Sequence, residues 1–253
     1  MMRHLFRARA AATRPPPRAP EGSRVYAVGD IHGCAGLLRR LHEAIRADAD
    51  SAAGLRKVLV YLGDYIDRGL ESRQVIDMLT GEPLEGFERV HLMGNHDLWM
   101  LEFLDDPAVG PGWLFNGGNA TLLSYGVGQG EAVGAPGRLA ALQAQLRAAL
   151  PAAHRAFLAA LRPMHVEGDY LFVHAGVRPG VPLDAQSNDD LFWIRDPFLD
   201  SDADFGKVVV HGHTIAEAPE ILPNRIGIDT GAFATGRLTC LVLEGTQQRF
   251  LQT

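Results

Sequence analysis

VLVYLGDYIDR, residues 58–68, is the stretch whose reading decides the fold. An apolar run of strand length, 58–62, stops at Gly63, and Asp64, Asp67 and Arg68 follow at once. A strand that ends by presenting a carboxylate at its C-terminal tip is how an α/β sheet builds a site. The pattern recurs four times. Residues 25–28 run into Gly29-Asp30-Ile31-His32-Gly33, and 90–93 into Gly94-Asn95-His96-Asp97. Residues 170–173 run into His174-Ala175-Gly176, and 208–210 into His211-Gly212-His213-Thr214. Five strand ends that deliver Asp, His and Asn point to a polynuclear metal centre.

Working outward, the first half reads β-α-β-α-β-α, with strands over 24–28, 57–62 and 89–93 and helices over 36–47, 71–80 and 96–104. Leu37, Leu38, Leu41 and Ile45 fall at helical spacing, as do Val75, Ile76 and Leu79. That alternation implies parallel strands joined by crossover helices. The rhythm then changes. Residues 105–118 are rich in turn formers, 119–125 make a short helix candidate, and 126–137, with five glycines, read as a mobile loop. Two alanine-rich helices over 138–150 and 151–161 follow, the second with Pro151 at its start. Strands return at 164–167, 170–173, 207–210, 225–229, 238–243 and 248–252, and short turns between the closing ones suggest an antiparallel sheet. The expected architecture is α/β: two β-sheets packed face to face, helices outside, and the five strand tips converging on one edge.

A chain of 253 residues can bury a sizeable core in one such domain. Its first 23 residues are set apart by Arg3, Arg7, Arg9, Arg14 and Arg18 against the single acid Glu21, with three consecutive prolines at 15–17. They read as a disordered basic arm, residues 1–23, ahead of a catalytic body, 24–253. Without the arm 19 basic and 29 acidic residues remain, since it takes five of the 24 and one of the 30, so the body carries −10. That charge argues against a nucleic-acid partner bound through a general basic surface. Cys34 and Cys240 are isolated, too few for a disulfide framework or a thiolate zinc site, which fits a reducing, cytoplasmic setting. No apolar run reaches the ~20 residues of a membrane span.

The donors carry the chemistry. Asp30 and His32 stand two apart, so a turning backbone can aim both into one cleft. Asp64 adds a carboxylate, Asn95 a neutral amide oxygen, and His174 and His213 two imidazoles. Carboxylate, amide and imidazole without thiolate suit Mn²⁺, Fe or Zn²⁺. A carboxylate can bridge two ions, and paired ions clamp the attacking and leaving oxygens of an in-line displacement.

GDIHG (29–33), GDYIDRG (63–69), GNHD (94–97), HAG (174–176) and HGHT (211–214), in this order, resemble the phosphoprotein phosphatase family of metallophosphoesterases. WLFNGGNATLLSYG (113–126), LFWIRDPF (191–198) and IDTGA (228–232) are similar to its phage and bacterial branch, which includes Ser/Thr protein phosphatases and symmetrical bis(5'-nucleosyl)-tetraphosphatases. The resemblance implies a metallo-dependent phosphatase fold and two divalent cations, Mn²⁺ foremost. It implies Asp30 and His32 on the first ion, Asp64 bridging, and Asn95, His174 and His213 on the second. His211 then falls to a lining place. It implies His96 as proton donor to the leaving alkoxide, Asp67 as the carboxylate that orients it, and Arg68 and Arg195 as phosphoryl-gripping arginines, with Asn95 and His96 also facing the substrate. The function implied is hydrolysis of a phosphomonoester on protein serine or threonine by direct attack of a hydroxide held between the ions. The alternative is cleavage of a dinucleoside tetraphosphate, and the remotest is a metal-binding scaffold without turnover. The expected partner is a phosphoprotein or a small phosphorylated molecule; no oligomeric state is implied. Asp97 departs from the family's more frequent glutamate and reads as structural. Trp113 and Phe115 read as core or loop anchors, Gly117-Gly118 as a loop-to-helix turn, and Cys34 as an inert thiol.

Overall fold

The computed structural model describes residues 15–81, 84–128 and 137–253. Two five-stranded sheets make up the body. In the first, β1 (Ser23–Val28), β2 (Arg56–Tyr61) and β3 (Phe87–His91) run parallel. In the second, β4 (Met164–Glu167), β5 (Tyr170–Val173), β6 (Val208–His211), β7 (Glu220–Ile221) and β8 (Arg225–Gly227) stand in the order β4-β5-β6-β8-β7. The last two strands, β9 (Thr239–Glu244) and β10 (Gln247–Gln252), return to the first sheet, antiparallel on the free side of β1, giving the order β10-β9-β1-β2-β3.

Alternation along the strands builds the layers. Val25, Ala27, Val58 and Val60 face the second sheet and meet Tyr170, Phe172, Val208, Val210, Ile226 and Ile228. The neighbours Tyr26, Val28, Leu59 and Tyr61 point the other way, onto the helices. Both faces are covered, which explains why these strands read as continuous apolar runs. α1 (Ala35–Ala49) lays Leu38, Leu41 and Ile45 against that outer face, and α2 (Ser72–Thr80) lays Val75, Ile76 and Leu79 beside them. Each such side chain contributes ~1.5–3 kcal/mol on burial. α3 (Asn95–Asp105) follows β3. The second sheet's outer face, Leu171, Val173 and Val209, packs on Leu191, Phe192 and Phe198. The doubly flanked sandwich expected from the sequence is therefore what the chain forms.

Three details differ from expectation. The closing strands are not all antiparallel: β5, β6 and β8 are parallel, pairing Leu171 with Val209 and Val210 with Ile226. The link between β5 and β6 holds the helices Asn188–Trp193 and Asp196–Leu199 and is long enough for a crossover, so its ends need not be neighbours in a hairpin. Residues 105–118 are helical rather than turn-rich. Pro107 opens a 3₁₀ turn capped by Asp106, whose carboxylate accepts from the Ala108 N–H at 2.8 Å, and Gly110–Trp113 continues it. Part of the basic arm belongs to the body. Ala19 is buried and donates to the Gly245 carbonyl, while the Arg18 N–H donates to the Asp169 carboxylate and the Arg18 carbonyl accepts from the Asp169 N–H. Residues 1–14, the rest of the arm, and 129–136 of the expected mobile loop lie outside the described residues. Among the described residues no helix is long and apolar enough to cross a membrane.

Candidate metal centre

The loops that leave β1, β2, β3, β5 and β6 meet at one edge of the sandwich. Asp64 is the hub. Its Oδ2 lies 3.4 Å from His32 Nε2, 3.5 Å from His174 Nε2 and 4.0 Å from His96 Nε2. Two groups of donors could each hold a cation: His32 with Asp64 and His96, and Asp64 with His174 and His213. Asn95 joins the second through its Oδ1, 2.9 Å from His174 Nε2. Asp30 stands a step away, its Oδ2 accepting the His213 N–H at 3.0 Å. His211 is buried too, yet belongs to neither group; its ring meets the edge of Phe198.

The backbone is bent to achieve this. Among the described residues, the non-glycine positions with positive φ are His32, Asp64, Asp67, Arg68 and His213, and all are candidate site residues. Such conformations cost about 1–3 kcal/mol each and persist where surroundings over-determine them. Asp97 supplies much of that determination. Its carboxylate accepts from the Asp64, Tyr65 and Gly94 amides at 2.7, 3.1 and 3.1 Å, tying the tip of β2 to that of β3. The structural reading of this acid holds. Gly63 lets the two tips touch: with φ +102°, it leaves 2.5 Å between the place of a Cβ and the Gly94 nitrogen.

Protonation follows from burial and charge. Burial holds the His32 pKa down to about 3 and His213 to about 2, against the pull of Asp64. Burial lowers His174 as well. All three are neutral near pH 7, as ligation requires. Their distal nitrogens are fixed by backbone: His32 Nδ1 is 2.8 Å from the Ile66 carbonyl and His174 Nδ1 2.9 Å from the Leu62 carbonyl, so the Nε2 atoms are the acceptors. Burial pushes the Asp64 carboxyl up, but His174, His96 and His32, cations at a pH low enough to protonate it, outweigh burial and hold it below the usual carboxylate range. Asp30 Oδ1, His32 Nε2 and His213 Nε2 are buried with no hydrogen-bond partner among the described residues. Buried polar atoms without partners are costly, and several aimed at one space are explained by an ion. The donor set fits a dinuclear divalent centre.

Beside it lies a buried histidine–aspartate pair. His96 Nδ1 is 2.7 Å from Asp67 Oδ2. Burial lowers the His96 pKa, yet Asp64 and Asp67 overcome this and leave it raised. Asp67 is held by more than sequence reading anticipated. Its Oδ2 also accepts from Trp113 Nε1 at 2.8 Å, and its Oδ1 from Thr121 Oγ1 at 2.6 Å. Trp113 is thus a core residue as expected, and also a donor into the site; Phe115, at 91% exposure, is no anchor. The Gly117 carbonyl accepts from the Arg68 N–H at 3.3 Å, seating the half-buried Arg68, whose Nη2 reaches His96 Nε2 at 3.2 Å and whose guanidinium lies 4.8 Å from the Phe233 ring centre. Arg195 is exposed at the rim and donates to Thr214 Oγ1 at 3.2 Å. The Cys34 thiol is pushed up to about 11 by burial, which suits an inert group.

One residue was missed. Asp229 follows the apolar end of β8 and is buried beside Asp30. The signal was present: Ile226-Gly227-Ile228 running into Asp229-Thr230-Gly231 repeats, in shorter form, the strand-end pattern of the other tips.

A mixed-stranded α/β sandwich with this edge of carboxylates and imidazoles frames a candidate metal centre. The chain belongs to the calcineurin-like phosphoesterase family, whose profile matches residues 23–232. It is 26% identical over 232 residues to serine/threonine-protein phosphatase 2 of Salmonella typhimurium, covering 85% of this chain and 90% of that one. It is 30% identical over 158 residues to a symmetrical bis(5'-nucleosyl)-tetraphosphatase of Aromatoleum aromaticum, covering 62% of this chain and 45% of that one. A similar enzyme of Methylococcus capsulatus matches at 36% identity over 77 residues, 25% of its length, so the chain spans less than half of these tetraphosphatases. Among solved structures, a candidate diadenosine tetraphosphatase superposes with a TM-score of 0.61 at 21% identity over 91% of this chain and 94% of that one. A cold-active protein tyrosine phosphatase variant superposes with a TM-score of 0.60 at 18% identity over 95% and 82%.

Proposed function

We propose that the protein is a phosphomonoesterase of the protein serine/threonine phosphatase type. The observation that carries this reading is the His96–Asp67 pair, with three donors on one buried carboxylate, set beside the Asp64 hub. A serine or threonine alkoxide is a poor leaving group and needs a proton as it departs, whereas a nucleoside diphosphate leaves without one. An acid dyad held so firmly favours the ester. The relative that this chain matches along nearly its whole length is named a protein phosphatase, which supports the same choice.

Asp30 and His32 would hold one divalent cation, Asn95, His174 and His213 the other, and Asp64 both; bound there, the pair supplies Lewis acidity and activates solvent toward phosphorus. Mn²⁺ is the ion we favour. Arg68 and Arg195 grip the phosphoryl oxygens with planar guanidinium forks. Arg68 now leans on His96 Nε2, 3.2 Å away. An arriving phosphate dianion draws Arg68 to itself, and Nε2 becomes free to take up a proton from solvent. His96 passes that proton to the ester oxygen while Asp67 steadies the ring at Nδ1.

The second reading, cleavage of a dinucleoside tetraphosphate, rests on the tetraphosphatase relatives and on a cleft of about 580 Å³ next to the centre, lined by Leu37, Arg40, Leu70 and Phe233. The test is a comparison of kcat/KM, with Mn²⁺, on a phosphoserine or phosphothreonine peptide and on diadenosine tetraphosphate. A higher value on the peptide is expected. A preference of more than about tenfold for the nucleotide overturns the first reading in favour of the second.

A further inference from the structure

We infer that Asp229 is a seventh protein residue of the cation site, its Oδ2 facing the ion held by Asp30 and His32. The inference rests on the dinuclear reading above and adds a residue to it. Asp229 is 2% exposed, as is Asp30, and His32 is 1% exposed. One carboxylate oxygen is engaged by the backbone, Oδ1 accepting the Gly231 N–H at 2.9 Å. The other, Oδ2, is buried with no hydrogen-bond donor among the described residues, and the same is true of Asp30 Oδ1 and His32 Nε2. The backbone brings them together. Ile228 donates its N–H to the His211 carbonyl at 2.9 Å and packs on Gly29, where a Cβ would stand 2.7 Å from the Ile228 oxygen; this sets Asp229 against Asp30. The Asp229 carbonyl accepts from the Ala216 N–H at 3.0 Å, so the tip of β8 cannot swing away.

Two carboxylates and an imidazole thus each keep a buried polar atom without a hydrogen-bond donor, and the Asp229 and Asp30 carboxyls are close enough to share a proton that an ion would displace. The half-buried guanidinium of Arg68 is the positive group that acts on both acids, and it is drawn to His96 and Phe233 instead. A divalent ion satisfies all three acceptors; a Gly231 cap alone would need only one oxygen and could be served by asparagine.

Asp229→Asn separates the cap from the cation, because the amide oxygen keeps the Gly231 bond and the volume. Full-length protein is stripped of metal and titrated with Mn²⁺ by calorimetry, and the spin coupling of the loaded centre is read by electron paramagnetic resonance. Wild type should take two ions with a coupled signal. The variant should keep one site and lose at least about tenfold in affinity at the other, with an uncoupled Mn²⁺ signal at one equivalent, as removal of groups that support ligands typically does. Two ions bound by the variant within about twofold of wild-type affinity would overturn the inference and leave the dinuclear reading standing. A wild type that binds no Mn²⁺ would sink both. Wild-type crystals soaked in Mn²⁺ give the answer even if the variant does not fold. An anomalous peak within about 5 Å of Asp229 Oδ2, reach for a direct ligand or one intervening water, supports the inference; a greater distance rejects it.

Discussion

Trp113→Phe tests the proton-handling role proposed for the His96–Asp67 pair. The substitution deletes one N–H, the 2.8 Å bond from Trp113 Nε1 to Asp67 Oδ2, and keeps an aromatic ring against Phe103, whose centroid is 5.0 Å away. Asp67 is fully buried, so water cannot replace the lost donor. A hydrogen bond to a charged group is worth about 1.5–3 kcal/mol. If Asp67 works only by holding His96, that sum is withdrawn from the step in which His96 gives up its proton. At ~1.4 kcal/mol per factor of ten, the rate on an alkyl phosphate should drop about 10- to 100-fold. An activated aryl phosphate departs without a proton, and its rate should drop by less than about threefold. The assay is kcat on a phosphoserine peptide and on p-nitrophenyl phosphate, with the unfolding midpoint measured alongside. Equal losses on both substrates, or none on the peptide in a folded variant, refute the reasoning, since Trp113 would then be packing and nothing more. Thr121→Val, which removes the 2.6 Å bond to the other oxygen, should show the same split between substrates.

Acid should loosen the fold before most carboxylates titrate. Burial holds His42 and His91 down to about 4, against about 6.5 unfolded, so the folded state binds fewer protons. Their contribution is complete above pH 6.5 and is lost as pH falls toward 4, by up to about 1.4 kcal/mol per pH unit for each. Melting temperatures of metal-stripped protein at pH 7, 6 and 5 should decline, and a His42→Gln, His91→Gln double variant should flatten the decline; a level wild-type profile contradicts the assignment. Gly94→Ala should destabilise by about 1–3 kcal/mol, as overpacking does, because its Cβ would collide with the Asp64 carboxylate and backbone. Gly112→Ala meets no atom within 4 Å and should be neutral or slightly stabilising in a denaturant titration, so equal effects at both positions would undo the steric account.

What was legible depended on range. Residues 58–62 declare a strand because both faces of β2 are covered, and Gly63-Asp64 declare its end. The five tips could be seen because each couples a local apolar run to a polar residue at its stop. The partners of β9 and β10 could not be seen. Their alternation is compatible with either sheet, and the choice lies in contacts such as Val25 with Leu243, more than 200 positions apart. Trp113 and Thr121 escaped for a related reason: an indole and a hydroxyl in a helical segment look like core and cap until Asp67 is placed between them. Asp229 lies after a strand of only three residues, Arg225–Gly227, too short to stand out by composition.

The strained backbone explains why the motifs carry so many glycines and yet not at every bent position. Among the described residues five non-glycine positions adopt positive φ where glycine would do so freely, and each is a candidate site residue. Among the described residues that strain falls on candidate site positions, and glycine stands next to four of them: Gly33 after His32, Gly63 before Asp64, Gly69 after Arg68, Gly212 before His213. Those glycines let the tips approach so closely that the Asp97 carboxylate can bind three amides from two loops at once. Rigidity at the edge therefore comes from an acid engaged by backbone amides, and the two flanking cores hold the strands that carry it. Asp229 lies two residues before Gly231, whose φ is +67°, so here the glycine takes the bend and the acid keeps an ordinary backbone on a tip pinned by backbone bonds from both sides.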